Sequence, residues 1–268
     1  MNNLVLQPWR TMYHTFAEDY DHFVNWNDRL AYEIPFIVRQ ISFLQRDLDR
    51  PLDILDTACG TGMHAIALAK KGHQVSAADL FPEMITKSQQ NAHNAGVQLR
   101  FSTAGLGEMA QSFGQNQFDL LLCLGNSLPH LTSEQHLMAS LQDFVSTLRQ
   151  GGMLFIQNRI FDKVMQRQDR WMEPQNYQVE GNEWIFQRFY DFLPDGLIRF
   201  NIVTLQRKAD FNWQPAVNST LLRPQISTEL EHQLDQVGFK DIHAYGSMQG
   251  EPFSTDSSGN LIITAIKP

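Results

Sequence analysis

Between Leu52 and Gln157 the chain alternates short apolar runs with stretches of helical composition. Leu52–Asp56, Gln74–Ala78, Val97–Phe101, Phe118–Leu124 and Met153–Gln157 read as strands. Met63–Lys70, Glu83–His93 and Glu134–Leu148 read as helices among them, with Gly72 closing the first and Pro82 opening the second. Gly151-Gly152 reads as the turn before the fifth strand. Strands this uniformly apolar must be covered on both faces, and intervening helices supply that cover. The pattern therefore predicts an α/β fold built on a doubly wound, mostly parallel sheet.

The flanks read differently. In the first fifty residues Phe16, Tyr20, Phe23 and Val24 fall at helical spacing, as do Ile34, Ile37, Val38 and Ile41, and Pro51 ends the charged exit Arg46–Arg50. Past Asn158 the alternation stops. Trp184, Phe186, Arg188, Tyr190 and Phe192 share one face of an extended run, Leu193-Pro194-Asp195-Gly196 turns the chain, and Ile198, Phe200, Ile202 and Thr204 resume the period of two. A helix over Thr228–Val237, stopped by Gly238, and strands near Ile242–Tyr245 and Leu261–Ile266 complete the chain. The expected division is a helical cover over residues 1–50 and one larger unit over 51–268, with an antiparallel layer inserted at about 171–224. The aromatic hairpin suits a core face, a subunit interface or a substrate lid, so a homo-oligomer stays open.

Composition narrows the partners. The 268 residues can bury a core without covalent staples, and two cysteines make neither a disulfide framework nor a self-contained zinc site, so no metal is expected. A formal charge of -8 offers no general attraction to nucleic acid or to an anionic membrane. No run approaches about 20 continuous apolar residues, and Met1–Arg10 lacks a signal-peptide pattern. A cytoplasmic protein acting on a small molecule is the expectation.

The loop Asp56-Thr57-Ala58-Cys59-Gly60-Thr61-Gly62 joins the first strand of the alternating region to its first helix. In open parallel sheets ligands bind beyond the carboxyl ends of the strands, where the strand order reverses. Gly60 and Gly62 permit a tight turn and close approach of backbone to ligand. Asp79 ends the second strand, where a carboxylate can accept from both hydroxyls of a ribose. A dinucleotide would set its pyrophosphate beside Asp56, an unfavourable meeting of like charges. An acid at that point instead suits a cationic amino group, which favours S-adenosylmethionine.

Leu55-Asp56-Thr57-Ala58-Cys59-Gly60-Thr61-Gly62, with Ala78-Asp79, resembles the class I S-adenosylmethionine-dependent methyltransferases. Cys123-Leu124-Gly125-Asn126-Ser127-Leu128-Pro129-His130-Leu131 and Gly151–Asp162 are similar to the fourth- and fifth-strand signatures of the glycine N-methyltransferase and glycine/sarcosine methyltransferase family. The resemblance implies a seven-stranded Rossmann-like methyltransferase sheet with an N-terminal helical cover and an inserted antiparallel β layer. It also implies that Asp56, Ala58 and Gly60 hold the methionine end of the cofactor and Asp79 its ribose. Leu80 and Leu106 then flank the nucleoside, while Tyr20 and Arg29 close over the ligand. Leu124, Gly125, Asn126, Ser127 and His130 line the transfer site, and Arg159 grips a substrate carboxylate. The chain departs from the family pattern at three points: Ser102–Leu106 carries no acid for the adenine, Asn158 replaces a histidine, and Phe161 replaces a tyrosine.

The resemblance implies N-methylation of glycine, sarcosine or a similar small amine bearing a carboxylate. Arg159 suits that anion because its planar fork of donors matches a carboxylate and keeps its charge. Asn126 could orient the amine or the cofactor's carboxylate, and His130 could hydrogen-bond or act as a base. Three other readings stay open: methyl transfer to an O- or N-nucleophile of a larger secondary metabolite, a Rossmann dehydrogenase, and a non-catalytic cofactor-binding protein.

Overall fold

The computed structural model describes residues 24–48, 50–207 and 212–268. Tyr20, Phe16 and Phe23 lie outside the described residues. Helix α1 (Trp26–Leu44) starts where the Asn25 side chain accepts from the Asp28 N–H at 3.3 Å, an N-cap that satisfies one orphan donor. It carries Pro35 in its interior and buries Ile34, Phe36, Ile37 and Ile41, together with the polar Glu33 and Gln40. Its Phe36 ring meets Phe155 edge-on at 5.8 Å. The helix thus covers one face of the sheet and brings Glu33 toward the strand ends.

The sheet comprises β1 (Asp53–Asp56), β2 (Gln74–Asp79), β3 (Arg100–Thr103), β4 (Phe118–Cys123), β5 (Leu148–Arg159), β10 (Lys240–Tyr245) and β11 (Asn260–Ile266). Their order is β10-β11-β5-β4-β1-β2-β3, and β11 pairs antiparallel with both of its neighbours while the other pairs are parallel. The expected seven-stranded, mostly parallel architecture is what the chain adopts. Side chains alternate between two cores: Ile54, Leu120, Leu122 and Phe155 face α1 and α2 (Met63–Ala69), while Leu55, Leu121, Leu154 and Ile156 face α4 (Met109–Phe113), α5 (Glu134–Thr147) and α7 (Ser227–Gln236). Two-sided burial is the reason these strands read as unbroken apolar runs. None of the described helices is long and apolar enough to cross a membrane.

The third and fifth strands differ most from expectation. The third strand starts at Arg100 rather than Val97. Gly96 (φ 69°) ends α3 (Pro82–Asn94), and the Val97 N–H still returns to Ala92 O at 3.1 Å, so Val97 belongs to the helix cap. The fifth strand runs straight through Gly151-Gly152, which is not a free turn. Gly151 N donates to Lys267 O at 2.8 Å, and a Cβ at Gly152 would meet Arg149 O at 2.8 Å.

Beyond β5 a short helix, α6 (Phe161–Arg167), leads into a second sheet of four strands where the sequence pattern showed two. β7 (Asn182–Phe192) and β8 (Ile198–Arg207) are the expected hairpin, flanked by β6 (Gln175–Val179) and β9 (Trp213–Leu222). The outer strands escape the period-two pattern because Gln175, Asn176, Gln214, Pro215, Ala216 and Val217 are all exposed. Arg223 N donates to Pro129 O at 2.8 Å, and Ser227 Oγ to Asp162 Oδ1 at 2.7 Å. The first tie anchors the end of β9 to the loop after β4, and the second joins α6 to the start of α7.

The one acid in the fourth apolar run, Asp119, has a structural cause. It accepts from Arg50 at 2.7 and 2.8 Å, from Arg149 at 2.9 Å and from the Asp53 N–H at 2.8 Å, at the end of the sheet away from the cavities. Burial raises its pKa, and these bonds outweigh burial and hold it below the usual carboxylate range. Asp119→Ala is expected to destabilise the fold by about 2 kcal/mol, less than for a fully buried pair because both arginines reach water. The lowered folded value means this stability is complete above the unfolded carboxylate pKa and is lost as pH falls through the folded one. Urea melts of the two proteins at neutral and acid pH measure both effects.

Candidate active site

The loop between β1 and α2 is pinned from both sides. Thr57 N and Thr57 Oγ1 both donate to Leu122 O at 2.9 Å, and Cys59 N donates to Ala78 O at 2.9 Å. Gly60 (φ 54°) donates its N–H to Asp79 Oδ2 at 2.9 Å, so the loop and the acid of the second strand position each other. Gly62 (φ 81°) caps α2, and a Cβ there would fall 2.0 Å from Ser88 Oγ. No side chain larger than hydrogen fits that point of the turn.

A cavity of about 750 Å³ opens over this loop, and Asp56, Ala58, Gly60, Asp79, Leu80, Leu106, Leu124, Gly125 and Arg29 line it. Asp56 is buried, and its Oδ1 has no hydrogen-bond partner among the described residues. Burial and the neighbouring Asp79 charge push its carboxyl up to about 7, against the pull of the Ala58 N–H and Arg29. Asp79 is raised too, by burial, although the Phe81 and Gly60 N–H groups favour its charged form. Two buried acids in one cavity, one with an orphaned oxygen, are a receptor in need of a cation and of donors. S-adenosylmethionine meets both needs with its ammonium and its ribose hydroxyls, so the residues present fit that ligand. Near Leu106 the cavity also holds Glu108, whose Oε2 accepts from Gly105 N at 2.7 Å.

A second cavity, of about 410 Å³, lies beside the first. Its walls include Asn126, Asn158 and Arg159 from the main sheet, Arg188, Tyr190 and Phe200 from the second sheet, and Tyr32 and Glu33 from α1. Arg29, Gly125 and His130 border both cavities. Asn126 (φ 67°) accepts from Arg159 N at 3.0 Å through Oδ1 and donates its own N–H to Gln157 O at 3.0 Å. It therefore fixes the strand end that carries Arg159. Ser127 Oγ donates to Leu124 O at 2.8 Å and steadies the same loop. Burial lowers the His130 imidazole to about 4, which leaves it neutral at pH 7 and a weak base.

Glu33 links the two cavities. It receives Arg29 Nε at 3.1 Å, Gln157 Nε2 at 2.7 Å and the His64 ring at 2.6 Å, and Gln157 Oε1 in turn accepts from Gly125 N at 3.2 Å. Burial acts to raise its pKa, yet His64, Arg29 and Gln157 together hold it near 2. Of the predicted site residues, all but Tyr20 are described, and all of those border one or both cavities. Sequence reasoning missed the roles of His64, Gln157, Arg188 and Tyr190. Only the last two left a trace, as neighbours on one face of the aromatic strand.

Residues 54–152 match the methyltransferase domain family. The chain is 29% identical over 252 residues to a glycine/sarcosine N-methyltransferase of Aphanothece halophytica, covering 94% of this chain and 88% of that protein. It is also 29% identical over 254 residues to a glycine/sarcosine/dimethylglycine N-methyltransferase of Actinopolyspora halophila, of which it spans 41%. A solved S-adenosylmethionine-dependent methyltransferase from Clostridium acetobutylicum superposes with a TM-score of 0.73 at 18% identity, over 95% of this chain and 98% of that one. An amino pentose methyltransferase from Micromonospora echinaspora, solved with S-adenosylmethionine bound, gives 0.68 at 18% identity over both whole chains. The domain, the curated relatives and the fold together support an S-adenosylmethionine-dependent methyltransferase. Within that class, its similarity along nearly its whole length is to the glycine/sarcosine N-methyltransferases.

Proposed function

We propose that the protein methylates the amine of a small acceptor that bears a carboxylate, as glycine and sarcosine do. One observation carries this reading: two cavities meet at Gly125, the first setting Asp56, Asp79 and Glu108 against Arg29 and Arg199, the second setting Arg29, Arg159 and Arg188 against Glu33 alone, so acids prevail in one and cations in the other. The acidic cavity suits a cationic cofactor and the basic one an anionic acceptor. The relatives named for glycine and sarcosine support the same acceptor class.

S-adenosylmethionine, when bound, supplies an electrophilic methyl group on its sulfonium. In this reading Asp56 and the Ala58–Gly60 backbone hold its methionine end, Asp79 its ribose, and Leu80 and Leu106 its base. Gly125 (φ 71°) leaves the passage between the cavities open; a Cβ there would touch Arg29 Nη2 at 3.4 Å. His130 can hydrogen-bond at that passage without setting a second positive charge beside a sulfonium. Arg159 anchors the acceptor carboxylate, with Asn126 holding its strand end. No strong base is needed when the acceptor enters as the free amine, so alignment and exclusion of water carry the rate.

Because Asp56 must be ionised to meet the ammonium, the affinity for S-adenosylmethionine is expected to rise with pH through about 7. Below that point the Kd should increase by up to about tenfold per pH unit. Calorimetric titrations from pH 5.5 to pH 8.5 measure the slope. For folding, the same group works in the opposite direction. Its raised folded pKa gives stability that is complete below the unfolded value of 3.8 and lost as pH rises through about 7.

The experiment that tests the assignment compares glycine, sarcosine and methylamine as acceptors. The carboxylate-bearing amines should show kcat/KM higher by about a hundredfold, the scale of one charge-assisted anchor. Equal values for methylamine would refute it. The second cavity, at about 410 Å³, is larger than glycine fills, so amino acids with apolar side chains belong in the same panel.

A further inference from the structure

Glu33, on α1, is 5% exposed and lines the second cavity. Its Oε2 accepts from Arg29 Nε at 3.1 Å and meets His64 Nε2 at 2.6 Å, while its Oε1 accepts from Gln157 Nε2 at 2.7 Å. These partners keep the carboxyl ionised at neutral pH. An ionised carboxylate only accepts, so His64 Nε2 carries the hydrogen of that bond. Gln157 turns its other end, Oε1, to Gly125 N at 3.2 Å. Arg29 and Gly125 both border the two cavities, and Arg29 Nη2 lies 3.4 Å from the point that a Cβ on Gly125 would reach. One carboxylate therefore holds two walls of the passage, Arg29 directly and Gly125 through Gln157.

Such a network is weak ground for stability, because an apolar cluster of similar volume often does as well as a buried charge with its partners. Alignment is the stronger ground. Transfer through a passage needs the methyl group and the nitrogen in line, and a displacement of about 1 Å can cost about a hundredfold in rate. We propose that Glu33 is a positioning residue for methyl transfer, holding Arg29 and Gly125 where the passage lines up methyl donor and acceptor nitrogen. The inference rests on transfer through that passage, and not on which amine receives the methyl. The pattern of donors makes Glu33 hard to replace. An amide at position 33 has a single accepting oxygen. With that oxygen toward Arg29 and His64, its N–H groups face Gln157 Nε2, donor against donor. Gln157 relieves this only by turning its amide over, which sets its Nε2 against the Gly125 N–H. Moving the carboxylate to position 157 restores every bond: its oxygens accept from the new amide and from Gly125 N, while the amide oxygen keeps Arg29 and His64.

The test compares full-length wild type, Glu33→Gln, and the double variant Glu33→Gln with Gln157→Glu. Each is assayed with whichever of glycine, sarcosine and methylamine wild type turns over fastest. Glu33→Gln should lower kcat by about tenfold or more, with KM and the Kd for S-adenosylmethionine within about threefold of wild type because Arg29 keeps its charge. The double variant should recover kcat to within about threefold of wild type. A Glu33→Gln enzyme with wild-type kcat would overturn the inference. So would a melting temperature that falls while kcat per folded molecule holds, the mark of a purely structural side chain. A rise in KM or Kd as large as the fall in kcat marks general loosening of the site and overturns it too. A double variant no faster than the single one does the same, since the pattern of donors would then not matter. Wild type that turns over methylamine fastest removes the acceptor assignment, and the same comparison then decides this inference with methylamine. Wild type inert toward all three amines overturns both.

Discussion

Replacing Arg159 by alanine is expected to raise the KM for a carboxylate-bearing acceptor by about a hundredfold, since truncating one partner of a desolvated charge pair costs roughly 2–5 kcal/mol. The lower part of that range applies because Arg159 is exposed, so that only the acceptor itself desolvates it. Its main-chain position does not depend on its side chain: Asn126 Oδ1 holds the backbone N–H of Arg159. The alanine variant should therefore fold, and its Kd for S-adenosylmethionine should match wild type. Arg159→Lys should fall between the two, because an ammonium keeps the charge and loses the fork. Steady-state kinetics with saturating cofactor separate KM from kcat, and an unchanged KM in Arg159→Ala would remove the anchor from the account.

Asp79→Ala is the second large effect. A carboxylate that accepts from two ribose hydroxyls contributes about 3 kcal/mol, so the Kd for S-adenosylmethionine should rise by about a hundredfold or more. Part of that loss arises within the protein. Asp79 also accepts from Gly60 N at 2.9 Å and from Phe81 N at 3.0 Å, so its removal loosens the loop that carries Asp56. A thermal melt without ligand separates the two contributions: the ribose contact changes the Kd, and the loop contact changes the melting temperature as well. A Kd within about threefold of wild type would contradict the ribose assignment, since one charged hydrogen bond alone exceeds that.

The main sheet was legible because its strands are buried on both faces and its helices on one, which leaves distinct periodicities in the residues. The cofactor loop was legible for a related reason: Gly60, Gly62, Asp56 and Asp79 are close in sequence, so geometry that needs all four shows as a short motif. The second cavity was not legible in the same way. Its walls come from α1, the β4 and β5 ends and three strands of the second sheet, and only the fold brings them together. The aromatic strand showed Arg188 and Tyr190 on one face, but nothing in the pattern said that this face meets Arg159. Asn158 was visible only as a departure from the family pattern. The setting of Glu33 was not legible either, since its depressed pKa depends on His64, Arg29 and Gln157 converging from three elements.

In the proposed reaction this enzyme moves a methyl group from S-adenosylmethionine to the nitrogen of a carboxylate-bearing amine. The most direct measurement incubates the purified protein with S-adenosylmethionine carrying a carbon-13 methyl group and with glycine or sarcosine, and follows the label by NMR. The label is expected to leave the sulfonium and to appear as an N-methyl carbon on an amino acid whose carboxylate is free. Label that stays on the cofactor, or that appears as a methyl ester, would contradict it.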